Sequence, residues 1–174
     1  MNIDPSNLEL QRGGIINLVE MCEHGGAAEL LDAGVLPAVM APMNAHVGDA
    51  LLQTLGICII TSLLQANVVP AEHFITAGVH RSVVAAMDTN IGDSQLQRTG
   101  VICIGDLWSD VTEDRLIDAG ALRAFIAAMD RRVGHTGVQW ECLINLAKVW
   151  TDGTAERLIN DGMHRAVLAS MRIH

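Results

Sequence analysis

The chain has 174 residues, 50% of them hydrophobic but only 3% aromatic, no tyrosine, and a formal net charge of −9. A core built with so few aromatics must come from Leu, Ile, Val, Ala and Met, the mixture that packed helices favour. An acidic chain with Lys148 as its single lysine repels phosphate backbones, which argues against nucleic-acid binding.

The charge is unevenly placed. Residues 1–80 hold eight acids against one base, Arg12, whereas residues 81–174 hold twelve acids against ten bases. A basic partner would therefore be steered toward the N-terminal half. The cysteines, Cys22, Cys58, Cys103 and Cys142, each lie in an apolar helical pattern and form no CxxC pair, as expected of core thiols in a reducing, cytoplasmic compartment. The start, MNIDPSNLELQRGG, lacks a basic region followed by an apolar run, so no secretory signal is read there. The most apolar segment, Leu51–Val69, is broken by Gln53, Thr54, Thr61, Ser62, Gln65 and Asn67, which argues against a membrane span.

In chain order, the segments repeat. Gly34, Gly78, Gly120 and Gly162 are separated by 44, 42 and 42 residues, and Gln11, Gln53, Gln97 and Gln139 by 42, 44 and 42. Two independent columns share one period, with a two-residue insertion between Gln53 and Gly78. After each glutamine runs a long apolar helix, for example Val101, Ile102, Ile104 and Leu107. It stops at polar or small residues such as Glu23–Gly26 and Ser109-Asp110.

A short helix follows, with an acid in its first turn (Glu72, Glu113, Asp114, Glu156) that suits the positive end of the helix dipole. The column glycine then caps it, since glycine reaches left-handed dihedrals without steric cost. A further helix runs from that glycine to the methionine nine residues on: Met43, Met87, Met129 and Met171. The spacing predicts that these methionines pack against the next unit. Pro37 suits the first turn of its copy. Pro42 falls inside the expected end of the same helix and should stop or kink it.

Three helices per unit of about 42 residues fall in the armadillo or HEAT range. The chain resembles the armadillo-repeat family, on Gly34-Val35-Leu36-Pro37, Gly120-Ala121-Leu122, Leu52-Gln53, Leu96-Gln97 and Val138-Gln139. Gln53–Gly56 and Gln97–Gly100 are similar to the Leu-Gln-x-x-Gly form of the helical repeats beside leucine-rich-repeat kinases and in protist armadillo proteins. The resemblance covers residues 8–174. It implies an all-α, right-handed superhelical solenoid forming a single domain over 1–174. A partial repeat occupies 8–33, repeats start near 34, 78 and 120, and a partial last repeat occupies 162–174.

The resemblance also implies a binding groove lined by the long third helices, and a non-catalytic role in binding or scaffolding a protein or peptide. Peptide-binding members carry an asparagine nine residues after the glutamine. That column here reads Glu20, Ser62, Asp106 and Lys148. A tryptophan four residues earlier is replaced by Ile16, Cys58, Ile102 and Ile144, so importin-like capture of a basic targeting peptide is not implied. The acids Glu20 and Asp106 remain candidates for a Lys or Arg on another ligand. Trp140, one residue after its glutamine, is a rim candidate, whereas Trp108 and Trp150 are expected to pack between units.

No nucleophile, acid–base pair or phosphate loop emerges, so neither catalysis nor a cofactor is expected. Cys22-Glu23-His24 is the only close Cys/His pair, too little for a metal site. The last helix, MHRAVLASMRI, carries apolar residues that a further third helix would cover. This points to a longer array or to self-association through the ends into a homo-oligomer.

Overall fold

The computed structural model describes residues 7–131 and 134–173, and among these it is helical without strands. Four long helices, α1 (Leu8–Glu23), α4 (Ala50–Gln65), α7 (Ser94–Leu107) and α10 (Thr136–Val149), contain the glutamine column. Four short helices are α2 (Ala27–Asp32), α5 (Ala71–Thr76), α8 (Glu113–Asp118) and α11 (Ala155–Asn160). Each leads into a helix of the methionine column: α3 (Val35–Ala45), α6 (Val79–Thr89), α9 (Ala121–Arg131) and α12 (Met163–Ile173).

The long helices touch in the order α1, α4, α7, α10, and the methionine helices in the order α3, α6, α9, α12. The two rows pack against each other, and the core lies between them. Its largest fully buried side chains include Phe74, Phe125, Met43, Ile57, Ile60 and Leu107. Burying each such side chain contributes about 1.5–3 kcal/mol.

Local chemistry explains the boundaries. Asn7, Asp49 and Asp93 cap α1, α4 and α7, accepting from the amides of Leu10, Leu52 and Leu96 at 3.1, 2.8 and 2.8 Å. His135 takes the same place before α10, its Nδ1 3.3 Å from the Val138 amide. At the short-helix ends Gly34, Gly78, Gly120 and Gly162 adopt φ of 78°, 87°, 89° and 94°, the left-handed cap expected of that column. In the later units a buried threonine closes the preceding turn. Thr112 Oγ1 donates to the Leu107 carbonyl at 2.6 Å and accepts from the Ser109 amide at 2.9 Å. Thr154 repeats the arrangement with Val149 and Thr151.

The glutamine column proves to be a clamp between the rows. Gln53, Gln97 and Gln139 are buried, and their Nε2 groups donate to the carbonyls of Met43, Met87 and Met129 at 2.7, 2.8 and 2.7 Å. Each clamp ties the end of a methionine helix to the long helix that follows.

Two expectations need correction. Pro42 does not stop α3, which runs on to Ala45. In the last turn its missing amide removes a single hydrogen bond, and its ring is buried in the core. Nor do both paired tryptophans pack: Trp108 lies against the core as expected, whereas Trp150 does not. Trp108 is half-buried with its indole N–H 3.3 Å from Glu113, and Trp150 is 44% exposed. Both lie immediately beyond the last residue of their long helix.

Candidate functional site

The side of the long-helix row turned away from the methionine helices presents three columns at helical spacing. Arg12, Thr54, Arg98 and Trp140 follow the clamp glutamines directly. Ile16, Cys58, Ile102 and Ile144 come four residues later, and Glu20, Ser62, Asp106 and Lys148 four later again. Each keeps partial or full exposure. The face therefore has an apolar line flanked by two polar ones.

The candidate partner-binding residues are unequal. Glu20 is exposed and in no ion pair among the described residues. Lys148 Nζ lies 3.0 Å from Asp106 Oδ1, and Gln65 Nε2 donates to Asp106 Oδ2 at 3.0 Å. Asp106 is thus engaged by side chains from both neighbouring helices, which makes it a weaker ligand for an incoming cation than Glu20. A second cross-helix pair joins Arg98 to Glu141 through Nε at 3.2 Å and Nη2 at 2.8 Å. Pairs of this kind at the surface contribute about 0–1 kcal/mol each. Their effect on the face is to cancel charge. Trp140 is 62% exposed, as its position at the helix start predicts.

Between α1, α4 and α7 this face opens into a groove of about 320 Å³ lined by Val19, Cys58, Ser62, Gln65, Arg98 and Ile102, among others. Cys58 is half-buried in its wall, and burial pushes its thiol pKa up against the opposing effect of Thr99. Gln65 and Arg98 were missed as candidates. Their signal was present, since Arg98 shares the column of Trp140 and Gln65 the column of Glu23.

The other cysteines, Cys22, Cys103 and Cys142, are buried, and all four are free thiols. Burial raises the pKa of Cys103 and Cys142 to about 12. His24 turns its Nδ1 to the Glu20 carbonyl at 2.7 Å, and no cluster of three potential ligands exists among the described residues. No described helix is long and apolar enough to cross a membrane. No protein-family model, curated protein or solved structure matches the chain.

Proposed function

We propose that the chain is an armadillo-like, right-handed superhelical solenoid serving as a non-catalytic interaction scaffold, with an extended protein or peptide segment bound along the exposed long-helix face. The observation that carries this reading is the groove between α1, α4 and α7 with its continuation along the Ile102–Ile144 line. It offers apolar contact without an enclosed chamber, which suits an extended chain better than chemistry on a small molecule. Asp106 and Glu141 are neutralised by their own partners, whereas Glu20 and Glu23 are not in ion pairs. The ligand that fits has apolar side chains for the groove and a basic residue for the α1 end.

Random peptides selected on the immobilised protein test this. Ile102→Glu combined with Ser62→Arg should weaken the selected peptides at least about tenfold, a loss of about 1.4 kcal/mol. Trp140→Ala should weaken those that extend to α10. Ala85→Glu, on the exposed side of α6, should leave binding unchanged. Peptides sensitive to Ala85→Glu and indifferent to the groove change would sink the reading.

A further inference from the structure

The methionine helices and long helices mate by one rule, and the two outer faces of the array carry its unmatched halves. Met43 lies over Gly56, and Met87 over Gly100, where an added Cβ would fall 2.6 Å from the methionine Cγ. Met129 is likewise buried, with Cys142 in the glycine's column. Each of these units is closed by its glutamine clamp.

Met171, the fourth of its column, is 69% exposed, and Leu168 beside it is 52% exposed. Of their counterparts, Met43, Met87, Met129, Met40 and Val84 are buried and Ile126 is partly buried. At the opposite end, Gly14 occupies the column of Gly56 and Gly100 but has no atom of the described residues within 4 Å of its Cβ position. It lines an open groove of about 510 Å³ with Leu10, Gln11, Leu18 and Ala38. Leu10 is 52% exposed, whereas Leu52, Leu96 and Val138 in its column are fully buried. The Gln11 side chain, unlike the three clamps, holds no hydrogen bond among the described residues.

One end therefore presents a methionine and a leucine without a socket, and the other a socket and a clamp without a methionine. The charges agree as well. Helix α12 carries Arg165 and Arg172 and no acid, whereas the groove over Gly14 is lined by Glu9, ion-paired with Arg12, and by no base.

We infer that the occupant of each face is a second copy of this chain, joined head to tail. Met171 and Leu168 of one copy enter the groove over Gly14 and beside Leu10 of the next, and Gln11 of the second donates to the Met171 carbonyl of the first. The junction reproduces the internal contact of α3 with α4 and of α6 with α7. The two surfaces differ, so the contact is heterologous and leaves a free face of each kind at the ends of a dimer.

Sedimentation of the full chain over a concentration series tests this, with two variants that spare the fold. Gly14→Leu fills the socket in space that is open within one copy, and Met171→Glu charges an already exposed tip. The unaltered chain should grow in mass with concentration. Each variant alone should stay at the mass of one chain, with an unchanged helical circular dichroism signal.

An equimolar mixture of the two variants should reach the mass of two chains and no more, because one intact socket meets one intact tip. Failure of the mixture to dimerise would overturn the head-to-tail register. An unaltered chain of single-chain mass at every concentration would overturn the association itself, as would association that neither substitution reduces.

Discussion

Gly100 and Gly14 occupy the same place in their long helices and should respond to alanine in opposite senses. A glycine inside a helix costs about 1 kcal/mol relative to alanine, so the change is favourable wherever there is room. At Gly14 no atom of the described residues lies within 4 Å of the new Cβ, and Gly14→Ala should stabilise the chain by about 1 kcal/mol. At Gly100 the Cβ would fall 2.6 Å from both Cγ and Sδ of Met87, itself 1% exposed and unable to swing into solvent. Overpacking of this kind costs about 1–3 kcal/mol. After subtracting the helical gain, Gly100→Ala should be destabilising by up to about 2 kcal/mol. Thermal unfolding resolves the two, at about 2–4 °C per kcal/mol for a chain of this length. Both substitutions belong in a Met171→Glu background, so that association does not shift the midpoint. If Gly100→Ala raised the midpoint as much as Gly14→Ala does, the socket reading of the glycine column would be wrong.

His80 is buried with its Nδ1 unpartnered, and burial together with Arg81 and Arg115 lowers its pKa. A lowered folded pKa means the unfolded chain binds the proton first, so stability from urea unfolding should fall as pH drops below about 6.5. His80→Leu, the residue that this column carries as Leu36 and Leu122, should be more stable by about 1 kcal/mol and remove that part of the slope. An unchanged slope would exclude His80 as its source. Cys103 and Cys142, with pKa about 12, should resist a thiolate-selective reagent at mildly alkaline pH until the chain unfolds, whereas Cys58 in the groove wall reacts first. Equal native rates at all four cysteines would contradict their placement. Thr112→Val removes the hydroxyl that joins the Leu107 carbonyl to the Ser109 amide and should cost about 1–3 kcal/mol in urea unfolding. No loss would show that this turn closes without it.

The elements legible in the sequence are those that packing forces to be alike. Each unit offers its neighbour the same surface, so the cap glycines, the methionines and the glutamines recur at one period and could be located by spacing alone. Exposure was less legible, because it depends on whether a neighbour exists. Trp150 and Met171 share columns with better-covered residues but are themselves exposed. Pro42 departs from the expectation because one lost hydrogen bond is tolerated where its ring is buried in the core. The cross-helix contacts had a signal that was not used. Gln65 with Asp106, Lys148 with Asp106 and Arg98 with Glu141 are 41, 42 and 43 residues apart, about one repeat period. Complementary polar groups one period apart on neighbouring long helices are brought side by side by the stacking itself.

The same stacking gives the exposed long-helix face a direction. At α1 it carries the unpaired acids Glu20 and Glu23. Across α4 and α7 its charges are cancelled by contacts between helices, and at α10 it ends in exposed Trp140 and Ile144. A symmetric row of identical units could not tell one end of an extended ligand from the other. On the proposed reading this row can, because a basic residue gains a carboxylate partner at one solvent-exposed end, whereas the aromatic end rewards apolar area and penalises a buried charge. Reversing the ligand would set its basic residue beside Trp140 and its apolar residues beside two carboxylates. On the proposed reading, the orientation of a bound segment follows from the residues that vary between units, while the recurring columns hold the helices that present them.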